Sequence, residues 1–311
     1  MNSKPSICSD AVTSEALRLG ATAIGLARAE PVDTTAAARY DAWIAAGCHG
    51  DMGYMARNTG LRNDPRGLLP SARTVIVAAF NYFPRHQQPA ENPQFAYYAY
   101  GRDYHEVVRE RLGMLAHFIK ENYGGETRVC VDTAPMHERY WAQKAGIGFE
   151  GINSQLIIPG QGSYFFLGEV LTSVNFTPSE PCDTDCGRCG ACMRACPSGA
   201  IKGDGTTDAS RCPSYLTIEY RGDLPADTPA GNRIYGCDTC QQVCPHNRHA
   251  QPTEIADFAP SDQFLALDKQ RLAALTPESF NILFRHSAVK RTKLCGLLRN
   301  LTLISDKKKS I

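Results

Sequence analysis

Eight of the thirteen cysteines lie between Cys186 and Cys244, in runs spaced as thiolate ligands are. The first run is Cys186-x2-Cys189-x2-Cys192-x3-Cys196-Pro197; the second is Cys237-x2-Cys240-x3-Cys244-Pro245, with Cys212 between them. In the bacterial ferredoxin pattern three thiolates of a run hold one cluster and the fourth, before proline, reaches the other. Exchanging Cys196 and Cys244 in this way gives two full sets. Cluster A takes Cys186, Cys189, Cys192 and Cys244; cluster B takes Cys196, Cys212, Cys237 and Cys240. The chain is therefore read as one that moves electrons through two [4Fe-4S] clusters. Structural zinc also takes paired Cys-x2-Cys, but four cysteines within eleven residues fit one tetrahedral ion poorly. A disulfide framework belongs to small secreted domains and fits less well. Cys8, Cys48, Cys130 and Cys295 stand alone and are given no role, since isolated cysteines act mostly as small buried hydrophobes.

The cysteine block is a small part of the 311 residues, so the long segment ahead of it has another task. Within it, Asp132-Thr133-Ala134-Pro135 follows a strand-like run directly. Sheets of the α/β type present ligand-binding groups at strand ends. Asp132 is equally suited to cap the following helix, with Pro135 in its first turn. Gly146, Gly148 and Gly151 form a glycine-rich turn that permits close backbone approach, but no G-x-G-x-x-G dinucleotide fingerprint is present. The eight histidines are scattered without an H-E-x-x-H or His-x-His pair. Asp103-Tyr104-His105 begins like the cobalamin-ligand pattern D-x-H-x-x-G, but Val108 occupies the glycine position, so that match fails.

The elements that would position these groups alternate. Ser14–Leu26 reads as a helix stopping near Gly20, Thr35–Ala46 as a second, and Tyr104–Asn122 as a third ending at Gly124-Gly125. Thr74–Phe80, Arg128–Val131 and Tyr164–Val174 read as strands from their β-branched and aromatic content. Helices alternating with strands give a mixed α/β, or α+β, layered fold. Composition shifts divide it into an α/β domain over residues 1–177, a ferredoxin-like two-cluster domain over 178–248 and a helical basic tail over 249–311 with one or two helices. The tail holds Arg285, Lys290, Arg291, Lys293 and Arg299, then Lys307, Lys308 and Lys309, a solvated face or a phosphate-tracking surface. A hydrophobic content of 43% and a net charge of +1 fit a globular protein and neither favour nor exclude nucleic acid. No run of 18 apolar residues exists, and the first residues lack an export signal, so a cytoplasmic protein with no membrane role is expected.

Taken together these residues resemble the epoxyqueuosine reductases, cobalamin-dependent iron–sulfur enzymes of queuosine tRNA modification. The likeness runs through HGDMGYMARN (49–58), RNDPRGLLPSARTVIV (62–77), YAYGRDYH (98–105), VDTAPMHER (131–139) and AGIGFEGIN (145–153). It continues through RCPSYLTIEYRG (211–222), YGCDTCQQVCPHN (235–247) and KRTKLCGLLRN (290–300). The resemblance implies cobalamin in the N-terminal domain beside one cluster, reduced through the clusters to cob(I)alamin. It implies loss of the epoxide oxygen of epoxyqueuosine as water at the tRNA wobble position. The leaving oxygen needs a general acid, and the resemblance makes that residue Asp132, its pKa raised by burial or by nearby negative charge. It also places Arg57, Tyr98, Asn153, Ser214 and Asp238 near the corrin. Asp103, Tyr104 and His105 match a family stretch of unassigned role.

The chain departs from the family where Gly151-Ile152-Asn153 stands for the common GKN, so a lysine contact is missing, and Phe149-Glu150 replaces a Trp–aliphatic pair. Longer relatives carry a helical-repeat extension, so a smaller tRNA surface leaning on the basic tail is expected. Partners implied are the anticodon loop of tRNA and an electron donor such as a flavodoxin or ferredoxin system, with the protein acting as a monomer. Two other readings stay open: a dehalogenase-like cobalamin reductase of a small molecule, and a plain electron carrier.

Overall fold

The computed structural model describes residues 6–225 and 227–306; Lys307, Lys308 and Lys309 lie outside the described residues. Its centre is a four-stranded sheet of β1 (Ala23–Arg28), β2 (Thr74–Asn81), β3 (Thr127–Cys130) and β4 (Phe165–Thr172), in the order β1-β2-β4-β3. Every neighbouring pair is antiparallel. The sheet therefore has no common carboxyl edge, and the strand-end argument for Asp132 does not carry over from parallel sheets.

Strand β2 is apolar on both faces because both are covered. Its alternate side chains Ile76, Ala78 and Phe80 enter one core, while Val75, Val77 and Ala79 enter another. The first core holds α1 (Asp10–Arg18), with Val12 and Ala16 buried, and α3 (Tyr104–Tyr123), with Val108, Leu112 and Ile119. The second holds α4 (Glu138–Lys144) through Trp141 and Ala142. Contact on that side is close: a Cβ added at Gly25 of β1 would stand 1.8 Å from the Ala145 carbonyl oxygen.

The segments interlock. Gln94–Phe95 pairs in parallel with Arg233–Tyr235, and Ile234, Tyr235, Phe258, Phe280, Leu297 and Leu301 all join the first core. The tail is thus packed against the rest of the molecule. Arg299 is part of that packing, donating to the carbonyls of Leu216 (2.9 Å), Tyr220 (2.8 Å) and Gly222 (2.7 Å). It is an anchor for the segment after Cys212 and not a free phosphate contact.

Several boundaries differ from those read in the sequence. The helix drawn over Ser14–Leu26 ends at Arg18, and Ala23–Arg28 is strand β1, because Gly20 takes a φ of 91° and turns the chain. The tail contains helices at Asp262–Leu265, Lys269–Ala273, Pro277–Leu283 and Lys293–Asp306 in place of one or two. Three of these carry readable caps from Ser261, Asp268 and Thr276, the last a capping box with Ser279.

Candidate active site and cluster-binding region

Each cysteine set gathers at its own place. Cys186, Cys189, Cys192 and Cys244 line a small cavity closed by Gly151, Ile152, Ala191 and Pro245. Cys196, Cys212, Cys237 and Cys240 all line a far larger cleft. The chain brings them there on the turns around the short helices Ala191–Ala195, Pro213–Ile218 and Thr239–Gln242, with Cys196, Cys212 and Cys244 each in extended backbone immediately before a proline. The thiols ring a space and do not close on a point: among the described residues no three His, Cys, Asp or Glu converge on a single metal ion. That donor set and spacing suit cubane clusters better than mononuclear zinc. Between the two sets, Ile152 and Ile201 pack with Cys192 and against Cys186, Cys196 and Cys240. Ile152 thus places an apolar side chain between the two sets.

The large cleft has a volume of about 1920 Å³. Drug-sized ligands occupy pockets of about 300–1,000 Å³, so this one has room for a tetrapyrrole-sized group and part of a second ligand. Arg57, Tyr98, Asn153 and Ser214 line it together with Asp132. Arg57 is exposed, whereas Asn153 is buried and its Nδ2 has no hydrogen-bond partner. A buried amide donor without a partner is costly unless a ligand completes it. Asp238 is not in the wall. Its buried carboxylate accepts the Tyr97 N–H (2.7 Å), and burial raises it to about 6. Cys182, which the sequence reading passed over, lies at the rim beside Pro181.

Asp132 stands where β3 has ended, in left-handed backbone with φ 49°. Non-glycine residues adopt that region at a cost, and such strain concentrates at functional sites. Asn58 and Ser154, also left-handed at φ 59° and 58°, line the same cleft. Asp132 does not cap α4, whose N-cap position is His137. Instead its N–H donates to Glu138 Oε1 (2.8 Å) and its Oδ2 meets His105 Nε2 at 2.9 Å. His105 Nδ1 in turn meets Asp103 Oδ1 at 2.6 Å, while Asp103 caps α3 through the His105 N–H. The result is a carboxylate–imidazole–carboxylate chain ending in the cleft.

The protonated member of that chain is the imidazole. Burial works against its charge, but hydrogen bonds to Asp103 and Asp132 overcome it and push His105 up to about 9. The Asp132 side chain is 48% exposed, so the expected burial among apolar groups is not what surrounds it. Tyr104 supports the chain from below, stacking on His105 at 4.0 Å and on Phe166 at 4.4 Å. Glu138 and Glu169 lie behind Asp132. Burial raises Glu138 to about 7 and holds Glu169 well above the carboxylate range.

A family model described as Epoxyqueuosine reductase QueG, DUF1730 matches residues 62–133. A second, a 4Fe-4S double cluster binding domain, matches residues 185–247. The epoxyqueuosine reductase of Cellulophaga algicola is 37% identical over 299 residues, which is 95% of this chain and 97% of that one. The chain belongs to the epoxyqueuosine reductase family. It is an oxidoreductase with a 4Fe-4S double-cluster domain. The Escherichia coli epoxyqueuosine reductase is 40% identical over 295 residues, 92% of this chain and 76% of its own. Among solved structures, an epoxyqueuosine reductase with a tRNA-Tyr epoxyqueuosine-modified stem loop superposes with a TM-score of 0.86 at 30% identity, over 95% of this chain and 80% of that one. The Bacillus subtilis epoxyqueuosine reductase, solved with an aspartate-bearing catalytic loop swung out of the active site, gives 0.86 at 29%, over 95% and 80%. Among the described residues no helix is long and apolar enough to cross a membrane.

Proposed function

We propose that this protein reduces epoxyqueuosine to queuosine in tRNA, in the cytoplasm, with cobalamin in the large cleft and Asp132 as the proton donor. The observation that carries the reading is the cleft itself. One wall holds the four thiols of cluster B, and another holds the Asp103–His105–Asp132 chain. Electron delivery and proton delivery thus face one space large enough for a corrin and a nucleoside.

Cys186, Cys189, Cys192 and Cys244 would hold cluster A, and Cys196, Cys212, Cys237 and Cys240 cluster B. Arg57, Tyr98, Asn153 and Ser214 would hold the corrin, the unpartnered Asn153 Nδ2 being the donor best placed to gain a bond. When bound, the clusters supply electrons and cobalamin supplies a low-valent cobalt to the epoxide. The protein's own residues handle the proton. Asp132, exposed on its loop, reaches the leaving oxygen and protonates it as the C–O bond breaks. His105, charged at neutral pH, supplies the proton that Asp132 hands on, and Asp103 holds the imidazole in orientation. Lys290, exposed at the cleft, is suited to tRNA phosphates. A tRNA-bound relative and a relative with a catalytic aspartate loop support both assignments.

The test is turnover of epoxyqueuosine-containing tRNA by reconstituted wild type and Asp132→Asn, read by nucleoside mass spectrometry. Asp132→Asn should lose at least about a hundredfold in kcat, the scale of general acid catalysis, with cluster spectra and cobalamin binding unchanged. Wild-type turnover in Asp132→Asn would refute the assignment.

A further inference from the structure

Removing an epoxide oxygen as water breaks two C–O bonds, forms one C=C bond, and takes up two electrons and two protons. The Asp103–His105–Asp132 chain holds one mobile proton, on the imidazole. We propose that the pair behind Asp132, half-buried Glu138 at the cleft and fully buried Glu169, stores the second proton of each turnover. The proposal rests on the reductase reading above and goes beyond it.

Glu169 sits in the middle of β4, opposite Val77 of β2 and Cys130 of β3. It is 0% exposed, and neither carboxyl oxygen has a hydrogen-bond partner. Its side of the sheet is the apolar core of Val75, Val77, Leu171 and Trp141. An ion there would have lost its hydration with nothing in return, so the group is held as the neutral acid. Glu138 opens α4 and lines the cleft, its Oε1 taking the Asp132 N–H at 2.8 Å. Two interacting carboxyls, one of them fully buried, do not both ionise readily, so the pair keeps one proton and releases the other.

The groups around Glu138 set how easily that release happens. Asp132, Glu169, Cys130 and Tyr104 oppose its negative charge from the loop, β4, β3 and α3, while Arg139 and Arg62 favour it. Packing around the carboxyl outweighs these and raises it to about 7, where a proton is given up at little cost near neutrality. The Tyr104 ring, stacked on His105, lies in the field of both Asp132 and Glu138. The proton leaves Glu138, reaches the Asp132 carboxylate emptied by the first transfer, and ends on the departing oxygen. Glu138 then refills from solvent when product leaves.

Glu138 and Glu169 touch no substrate and act through Asp132, so the test needs a reading that mere support would not give. Infrared difference spectra of the holoprotein between about pH 6 and about pH 8, taken across the usual titration of such a raised carboxyl, should show a protonated carboxyl band that bleaches. That band should vanish in Glu138→Gln, and the wild-type-minus-Glu169→Gln spectrum should show a second protonated carboxyl band at both pH values. In turnover, wild-type kcat should fall as pH rises through about 7. Glu138→Gln should lower kcat by at least about tenfold with KM for tRNA unchanged, abolish that fall, and be partly rescued by Glu138→Asp. Absence of both infrared bands from the wild type, or a Glu138→Gln enzyme with wild-type kcat and pH profile, would overturn the proposal. Wild-type holoprotein that shows the bands yet never reduces epoxyqueuosine would instead overturn the reductase reading, and with it the use of the stored proton.

Discussion

The ion pair between Asp132 and His105 makes a pH-dependent prediction. His105 lies 2.9 Å from Asp132 and 2.6 Å from Asp103, and these contacts carry it to about 9 against the pull of burial. Set against an ordinary histidine near 6.5, that is roughly 3 kcal/mol of preference for the charged imidazole. Asp132 supplies part of it, and because its side chain is 48% exposed, solvent screening trims its share to about 1 kcal/mol. Asp132→Asn should therefore leave His105 holding its proton about fivefold less tightly. The sign follows from linkage. A raised histidine stabilises the fold fully below its unfolded value and loses that contribution as pH rises through about 9. The substitution should cost about 1 kcal/mol of stability near pH 6 and almost nothing near pH 10. Imidazole NMR titration reads the first quantity, and urea unfolding at the two pH values reads the second. An unchanged His105 titration, or the same cost at both pH values, would refute the pairing.

Other outcomes follow from the same structure. Cys244→Ser should remove cluster A alone and Cys212→Ser cluster B alone, each leaving about half the iron and one set of electron paramagnetic resonance signals; loss of both clusters from either variant would contradict the exchanged sets. Gly25→Ala drives a Cβ into the Ala145 carbonyl and should cost about 3 kcal/mol or more in a thermal melt, with no effect expected if α4 sat away from β1. Arg299→Ala should lower stability by about 2–3 kcal/mol by orphaning three carbonyls, without changing the salt dependence of tRNA binding. Lys290→Ala should do the reverse, lowering the slope of log affinity against log salt by about 1.

The two cysteine sets were readable because thiolate spacing is written locally: two short runs and one isolated cysteine suffice, and the structure gathers the same two sets of four around a small cavity and a large cleft. The strands Thr74–Asn81, Thr127–Cys130 and Phe165–Thr172 were readable from β-branched runs, whereas Ala23–Arg28 was not, since its alanines and leucine suit either element. Asp132 was singled out for its place after a strand, but the partner that matters most was set aside. His105 is 27 residues away, and only the packing of α3 beside β3 brings the two together. Glu169 carried a signal that went unused, an acid inside the apolar strand FFLGEVLT, where a side chain on either face must be buried. Asp238 follows Cys237 of the second cysteine run, but local adjacency did not reveal that its carboxylate turns inward to Tyr97.

The account is tested most directly by anaerobic turnover of epoxyqueuosine-containing tRNA with a chemical reductant, with and without added cobalamin, read by nucleoside mass spectrometry. It predicts loss of one oxygen from the modified base that depends on cobalamin. Intact clusters and bound corrinoid with no conversion of the tRNA would contradict it.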